Sequence, residues 1–147
     1  MFKRILVPTD GSELSNDAVK DAIQLAKESG AAIVAVNVQP AYQQPIVVET
    51  FVISGYSQEQ YEADARRRAN MLLADVKGLA AAASVPCKTV SVLHPSTYEA
   101  IIKTAQDEGC DLIFMASHGR RGVAALILGG ETHKVLTHCK IPVLVHR

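Results

Sequence analysis

The sequence predicts a doubly wound α/β fold, in which helices cover both faces of one five-stranded parallel sheet. Short apolar runs rich in β-branched residues alternate along the chain with longer stretches whose apolar residues recur every three or four positions. Most connections between them are short, and no internal repeat interrupts the alternation. The chain has 147 residues, enough for one such domain, and we assign all of residues 1–147 to it.

Five apolar runs have the composition of buried strands. They are almost continuously hydrophobic, which is typical of a parallel sheet covered on both faces. The predicted strands lie at residues 5–7, 33–38, 88–93, 112–116 and 141–145.

Four stretches with helical periodicity separate these strands. Ser12 is the candidate N-cap of the first helix, and Gly30 stands where a C-terminal cap is expected. Ser57 opens a longer second helix, which ends before Pro86 because the residue before a proline disfavours helical backbone. The predicted buried stripe of the second helix is Tyr61, Ala65, Ala69, Leu72, Leu73, Val76 and Ala80.

The third and fourth helices are shorter. Ser96 or Thr97 is the candidate cap of the third helix, and Gly109 closes it. The fourth helix is expected at about residues 131–138 and stops before Pro142.

One connection is much longer than the others. It begins at Gln39, ends at Tyr56 and contains apolar triplets at residues 46–48 and 51–53. Loops of this length are uncommon in compact domains and are usually functional or mobile. Two interpretations stay open, a lid or partner surface on the one hand and a merely mobile insertion on the other.

The last strand has features of a sheet edge. Pro142 has no amide hydrogen to donate to a neighbouring strand. An exposed edge that carries the sequence Val-Leu-Val would pair readily with another chain. We therefore predict a homodimer through this edge strand, which runs from Ile141 to Val145; the alternative is an edge that is covered by the last residues or left short.

Composition and charge limit the classes of partner. Fifteen Lys and Arg balance fifteen Asp and Glu, so no global positive field attracts nucleic acid or an anionic membrane. The chain has no tryptophan and only 5% aromatic residues, which weakens a base-stacking role. No apolar run approaches the roughly 18 to 20 residues of a membrane span, and no signal-peptide core precedes Pro8. We expect a cytoplasmic protein that binds neither nucleic acid nor membrane.

Neither a metal site nor a catalytic group is predicted. Cys87, Cys110 and Cys139 are widely spaced and form no Cys-x-x-Cys pair, so we expect reduced, structural thiols. The five histidines show no metal-ligand spacing. Ser117 and His118 are adjacent, but neighbouring side chains of an extended chain point to opposite faces, so a nucleophile and base pair is not expected.

The end of the first strand carries a candidate ligand contact. Ligands of open parallel sheets bind beyond the carboxyl ends of the strands, where strand order reverses. The first strand leads into Pro8, Thr9 and Asp10, which places a carboxylate at that crevice. Such carboxylates accept hydrogen bonds from ribose hydroxyls. A helix cap is the alternative role of Asp10.

The fourth strand is followed by glycines. It leads into Ser-His-Gly-Arg-Arg-Gly, and two further glycines, Gly129 and Gly130, precede the last helix. Successive backbone amides at glycines can surround phosphate oxygens, and the helix start adds the positive end of its dipole. Arg120 and Arg121 are candidate neutralising charges. Tight turns would explain these glycines equally well, but together with Asp10 they indicate a nucleotide crevice.

Three segments together resemble the universal stress protein family over essentially the whole chain. They are Ile-Leu-Val-Pro-Thr-Asp-Gly-Ser at residues 5–12, Ser-His-Gly-Arg-Arg-Gly at 117–122, and Leu-Gly at 128–129 followed by Ile-Pro-Val-Leu-Val at 141–145. The resemblance implies a Rossmann-like sheet of the adenine nucleotide alpha hydrolase type, with strand order 3-2-1-4-5. It also implies a stress-response protein that binds ATP, or AMP or ADP, as a regulatory ligand, with Mg²⁺ as a candidate companion of the phosphates.

The nucleotide-binding motif of that family is only partly present. The motif is Gly, two residues, Gly, nine residues, and then Gly followed by Ser or Thr; Gly119 and Gly129 match its second and third glycines. Ala116 replaces the first glycine, and Gly130 replaces the hydroxyl residue while keeping its amide. Losing one hydrogen bond to a charged phosphate costs about 1.5 to 3 kcal/mol, or roughly ten- to a hundredfold in affinity.

The resemblance also implies how the ligand would be contacted. Val38 would meet the adenine through its backbone and Asp10 the ribose. The phosphates would be contacted by Gly119, Gly129, Gly130, Glu131 and Thr132, provided that the side chain of Glu131 turns outward. The implied nucleotide-binding set is Pro8, Thr9, Asp10, Val38, Met115, Ala116, Gly119, Gly129, Gly130, Glu131 and Thr132.

Two classes of function follow. In the first, the nucleotide alters loop or dimer state, and any hydrolysis is slow, because the segment lacks the Gly-Lys-Ser/Thr ending of a P-loop. In the second, the protein binds no nucleotide and acts through protein contacts, which the changes at Ala116 and Gly130 favour. A phosphoryl-accepting role for Asp10 is disfavoured, since such sites need further acidic residues and Ser12 stands two positions on.

Overall fold

Five strands and four helices alternate along the residues that the computed structural model describes, which are 1–44, 57–119 and 127–147. In chain order they are β1 (Arg4–Pro8), α1 (Glu13–Ser29), β2 (Ala32–Gln39), α2 (Gln58–Ala82), β3 (Cys87–Leu93), α3 (Thr97–Asp107), β4 (Leu112–Ala116), α4 (Gly130–His138) and β5 (Val143–His146). The alternation confirms the predicted doubly wound α/β class.

The strands form one sheet in the order β3-β2-β1-β4-β5, and every pairing between neighbours is parallel. The predicted order 3-2-1-4-5 is therefore confirmed. Ile5 of β1 pairs with Ile33 on one side and with Leu112 on the other. Strand order reverses between β1 and β4, so the switch point lies at the centre of the sheet. We call the side where the strands end the carboxyl edge, and the opposite side the amino edge.

Two apolar cores lie on the two faces of the sheet. Residues of α1 and α2 pack with Ile5 and Val7 on one face, and residues of α3 and α4 pack with Leu6 and Val36 on the other. Consecutive side chains of a strand point to opposite faces, so both faces of β1 are buried. This burial explains why the strands are continuously hydrophobic in the sequence.

Local signals set the ends of α1 and α2. The Ser12 hydroxyl accepts from the Ser15 amide at 3.3 Å, and Gly30 closes α1 in the left-handed region at φ 71°. Ser57 and Gln60 form a reciprocal capping box at the start of α2. All three assignments agree with the sequence. Of the predicted α2 stripe, Tyr61 and Leu72 are only half-buried, and the buried members are Ala65, Ala69, Leu73, Val76 and Ala80.

The predicted side-chain cap of α3 is wrong. Ser96 occupies the N-cap position, but its hydroxyl makes no capping hydrogen bond. The carboxylate of Glu131, from α4, accepts instead from the Tyr98 amide at 2.9 Å. The cap comes from a residue 33 positions away because α3 and α4 pack side by side on the same face.

The last strand starts two residues later than expected, at Val143, and ends at His146. Ile141 and Pro142 precede it, and the Pro142 carbonyl accepts from the Ile113 amide at 2.9 Å. Proline contributes an acceptor but no donor, which explains why regular pairing begins only after it. β5 lies at the end of the sheet, as predicted.

Most of the long connection lies outside the described residues. Gln39 belongs to β2, and the lid, partner-surface and mobile-insertion interpretations concern residues 45–56, which the structure does not describe. The start of the connection contacts α2: the Tyr61 hydroxyl donates to the Pro40 carbonyl at 2.7 Å, and the rings of Tyr42 and Tyr61 lie 5.6 Å apart.

An aspartate fastens the amino edge. The Asp111 carboxylate accepts from the amides of Lys3, at 2.9 Å, and Arg4, at 3.0 Å, while its own amide donates to the Arg4 carbonyl at 3.0 Å. Partial burial raises the pKa of this carboxyl, but the backbone donors of Arg4 and Lys3 outweigh it, so the pKa lies below its ordinary value.

Candidate functional site

Hydrogen bonds to β2 fix the chain that leaves β1. The Thr9 amide donates to the Val36 carbonyl at 2.9 Å. The side-chain amide of Asn37, which is 2% exposed, donates to the Thr9 carbonyl at 2.8 Å. Gln39 donates in turn to the Asn37 side-chain oxygen at 2.8 Å. A buried polar side chain thus holds the Pro8–Asp10 turn against the end of β2.

Asp10 occupies the first position beyond this turn. Its Oδ1 accepts from the Ser12 amide at 2.9 Å, and Gly11 between them adopts φ 77°, a conformation that favours glycine. The carboxylate therefore supports the start of α1, as the alternative interpretation required. This role involves only Oδ1 of the carboxylate, because Oδ2 lies toward Gly119, beyond the end of β4.

Gly119 lies directly against Asp10. A Cβ atom at Gly119 would collide with Oδ2 of the Asp10 carboxylate. Only glycine therefore fits at this position with Asp10 in its present place. The contact brings together two residues on either side of the switch point that the sequence had placed on different strand ends.

The start of α4 packs onto the end of β4. The Gly129 amide donates to the Ser117 carbonyl at 2.7 Å, and a Cβ atom at Gly129 would stand 2.9 Å from that oxygen and 3.0 Å from the His118 Cα. The hydroxyl of Thr132, which is buried, donates to the Ala116 carbonyl at 2.9 Å. These contacts aim the first turn of α4 at the carboxyl edge.

The first turn of α4 offers backbone donors. The amides of Gly130, Glu131 and Thr132 precede the first residue that can donate within the helix, and the His133 amide donates to the Gly129 carbonyl at 2.9 Å. A Cβ atom at Gly130 would meet nothing within 4 Å. The turn is thus an anion-binding geometry with open space beside it.

Glu131 turns toward α3 rather than across these amides. Its two carboxylate oxygens accept from the Tyr98 amide at 2.9 Å and from the Lys134 ammonium at 3.2 Å. The outward orientation that the resemblance required is therefore present.

The other predicted site residues lie along the same edge. Met115 and Ala116 are buried at the end of β4. Val38 is half-buried near the end of β2, and Pro8 ends β1. Asn37 was missed. The available signal was a single polar side chain inside an otherwise apolar strand, because a buried amide must find partners.

The expectation that Ser117 and His118 point apart is wrong. The Ser117 hydroxyl lies 3.2 Å from His118 Nδ1. Ser117 follows β4, which ends at Ala116, so the alternation of an extended strand does not apply there. Ser117 is only 6% exposed, which argues against a nucleophile that substrate must reach.

The cysteines have the environment of structural thiols. Burial raises the pKa of Cys110 to about 11 and also raises that of Cys87, so both stay protonated near neutral pH. Across residues 1–44, 57–119 and 127–147, no three His, Cys, Asp or Glu side chains gather as a metal site would require. In the same ranges, no helix is both long and apolar enough to span a membrane.

These features define a doubly wound parallel α/β protein with a polar site at its switch point. The sequence model of the Universal stress protein family matches residues 1–147 of this chain. YxiE of Bacillus subtilis is 31% identical over 153 residues, which cover 100% of both chains. MJ0531 of Methanocaldococcus jannaschii is 31% identical over 148 residues, 99% of this chain and 82% of that protein. The chain therefore belongs to the universal stress protein family.

Solved structures agree on the fold. That of MJ0577 of M. jannaschii superposes with a TM-score of 0.77 at 27% identity, covering 99% of this chain and 96% of that one. A universal stress protein in complex with cAMP gives 0.72 at 20% identity, over 99% and 97% of the two chains. One from Archaeoglobus fulgidus in complex with dAMP gives 0.70 at 13% identity, over 99% and 98%.

Proposed function

We propose that this chain binds an adenine nucleotide at the carboxyl edge as a regulatory ligand. The protein would act in the cytoplasm in a stress response, as a homodimer in which residues 1–147 of each protomer form one domain. ATP, ADP and AMP are the candidate ligands, with Mg²⁺ beside the phosphates of the longer ones. The proposal includes no catalytic residue, and any ATP hydrolysis is slow.

The contact between Asp10 and Gly119 carries this proposal. It holds a carboxylate at the switch point, where the ribose of a nucleotide would lie, and it requires the glycine that the family motif places there. The first-turn amides of α4 begin at Gly130, eleven residues after Gly119, and the Gly129 hydrogen bond fixes them to the same strand end. A ribose acceptor and a phosphate donor set thus share one edge.

Each part of the nucleotide has a proposed contact. The backbone of Val38 meets the adenine, the Asp10 carboxylate accepts from the ribose, and the amides of Gly130, Glu131 and Thr132 donate to phosphate oxygens. Pro8, Thr9, Met115, Ala116, Gly119 and Gly129 complete the walls of the site. The complexes of fold relatives with cAMP and dAMP support the choice of an adenine nucleotide.

The test is calorimetric titration of AMP, ADP and ATP, with chromatography of any nucleotide released from the purified protein. Asp10→Asn keeps an acceptor for the Ser12 amide but removes the charge, and we expect about tenfold weaker binding. Asp17→Asn, on the exposed side of α1, is the control and should bind as the parent does. Absence of binding at millimolar concentrations of all three nucleotides overturns the proposal.

The second class of function has its own support. Gly130 has no hydroxyl, and the Thr132 hydroxyl already donates to Ala116, so the first turn of α4 lacks a side-chain hydroxyl donor for phosphate. A family member that acts only through protein contacts would show such a turn. Failure of the titrations, together with a stable dimer, would favour it.

The proposed dimer uses the edge strand. Leu144 in β5 is 39% exposed, and β5 is the last strand of the sheet, so an apolar side chain accompanies an edge strand that has no neighbour on its outer side among the described residues. Leu144→Lys should shift the parent dimer toward monomer in light scattering, with a dissociation constant raised about tenfold or more. Leu79→Lys changes an equally exposed leucine on α2 and should leave the dimer intact. A monomeric parent protein would contradict the homodimer.

A further inference from the structure

Glu131 carries a positioned carboxylate beside the proposed phosphate donors, on the side that faces α3. Its backbone amide is the middle one of the three in the first turn of α4, and its carboxylate is held by the Tyr98 amide and by Lys134. The Tyr98 amide belongs to the first turn of α3, so one carboxylate serves the positive ends of two helices. The charge of Glu131 therefore already offsets part of the attraction that either helix start would exert on an anion.

Within the described residues of this turn, little else compensates for additional phosphate charge; Arg120 and Arg121, the candidate neutralising charges of the sequence, lie outside the described residues. Gly130 contributes no side-chain donor, and the Thr132 hydroxyl is committed to the Ala116 carbonyl. The nearby ammonium of Lys134 pairs with Glu131 itself and lies 5.6 Å from the centre of the Tyr98 ring. Ribose recognition has no such deficit, because Asp10 is fully positioned by its own contacts.

We propose that Glu131 is a specificity-determining residue that makes this site prefer adenosine monophosphates to ATP. The inference rests on the proposed nucleotide site and adds the class of ligand. A single phosphate is satisfied by the backbone amides, whereas the β- and γ-phosphates of ATP add negative charge at a helix start whose first turn already carries the Glu131 carboxylate. Like charges repel most when few mobile ions are present to screen them.

The experiment compares AMP and ATP by calorimetry in parent protein, Glu131→Gln and Glu28→Gln. The glutamine oxygen at position 131 can still accept from the Tyr98 amide, so the start of α3 keeps its cap while the charge is lost. Glu28 lies in the last turn of α1, at the amino edge, so the Glu28→Gln substitution removes the same charge far from the site. Melting temperatures of the three proteins show whether each remains folded.

In the parent protein, AMP should bind at least about threefold more tightly than ATP. Glu131→Gln should tighten ATP about five- to tenfold and AMP less than about twofold, and raising the salt concentration should narrow the difference in the parent. Glu28→Gln should change neither affinity.

Two kinds of failure are distinguishable. Tighter binding of ATP than of AMP by the parent, or equal gains for both ligands in Glu131→Gln, overturns this inference and leaves the nucleotide site standing. A Glu131→Gln protein that has lost its fold is replaced by Lys134→Met, which frees the carboxylate from its ammonium and should weaken ATP more than AMP. Absence of binding for every nucleotide in every variant overturns the proposed function together with the inference.

Discussion

Two aspartates on opposite edges of the sheet accept backbone amide hydrogens, yet their surroundings differ. Asp111 at the amino edge receives the amides of Lys3 and Arg4 and ties the start of β1 to the start of β4. Asp10 at the carboxyl edge receives the Ser12 amide and presents its second oxygen to a glycine across the switch point. The hydrogen bonds of Asp111 stabilise the fold, whereas Asp10 lies at the site that we propose for the ribose.

The helix ends near the two edges differ in the same way. At the amino edge, α1 and α3 close through Gly30 and Gly109 in positive φ, and the following strands begin within three residues of them. At the carboxyl edge, α4 begins with amides that its own helix cannot satisfy. The comparison teaches that the connections at the amino edge stabilise the sheet, while at the carboxyl edge the start of α4, unlike the capped starts of α1, α2 and α3, keeps hydrogen-bonding capacity for a partner.

The largest effect should come from adding one methyl group between Asp10 and the end of β4. Gly119→Ala forces the Asp10 carboxylate away from its present place, so adenine nucleotides should bind at least about a hundredfold more weakly, as judged by calorimetry. Gly130→Ala adds the same methyl group where nothing lies within 4 Å and should bind almost as the parent does. Equal affinities for the two variants would break the functional assignment of the carboxyl edge.

A smaller gain is expected from restoring a hydroxyl. Gly130→Ser has room for its side chain and adds a donor at the start of α4, so ATP binding should tighten about ten- to a hundredfold. Gly78→Ser, on an exposed face of α2 with equally open space, is the matched control and should leave the titration curve unchanged. An unaltered ATP affinity in Gly130→Ser would contradict the proposed contact between the phosphates and the start of α4.

The amino edge should respond in stability and not in binding. Asp111→Asn removes the charge that two amides solvate, and we expect a loss of about 1 kcal/mol in the free energy of unfolding at pH 7, since water screens the partly exposed group. Nucleotide affinity should stay constant. Asp107→Asn, an exposed ion-paired residue on α3, should cost less.

Acid should abolish the difference in the free energy of unfolding between the parent protein and Asp111→Asn. The pKa of Asp111 is lower in the folded protein than its ordinary value of 3.8, so its contribution is complete above that value and is lost as pH falls through the folded pKa. The free energies of unfolding of the parent and of Asp111→Asn, measured with denaturant, should therefore converge as the pH falls below the folded pKa of Asp111. A stability gap that widens toward acid would contradict the proposed role of the amide contacts.

The fold was predictable because its signals are local. A continuously apolar strand, the Ser12 cap and the Ser57–Gln60 capping box each occupy a few consecutive residues and act through neighbouring backbone. The start of β5 was misjudged by two residues, since apolar Ile141 resembles the strand that follows it. The cap of α3 by Glu131 could not be found in the same way, because it depends on two helices that meet only after folding.

The site was predictable only in outline. The resemblance selected Asp10, Gly119 and Gly129 as candidate site residues, and topology explains why strand ends converge. The close approach of Asp10 to Gly119 depends on where the Asp10 side chain lies in the folded protein, which the sequence does not show. For Asn37, the sequence offers only a weak signal, which is one polar residue within an apolar predicted strand. The Ser117–His118 contact was not expected from the sequence, because neighbouring side chains of an extended strand point to opposite faces. That alternation ends with β4 at Ala116, one residue before Ser117.

The two hydrogen bonds that fasten α4 have a consequence for protein engineering. The bonds from Gly129 to the Ser117 carbonyl and from Thr132 to the Ala116 carbonyl tie the start of α4 directly to the end of β4. Substitutions at residues 120–126 that keep the nine-residue spacing between Gly119 and Gly129 leave both of these bonds available. Exchanging the side chains of residues 120–126 should therefore alter the surface presented beside the site while the start of α4 keeps its two attachments to β4.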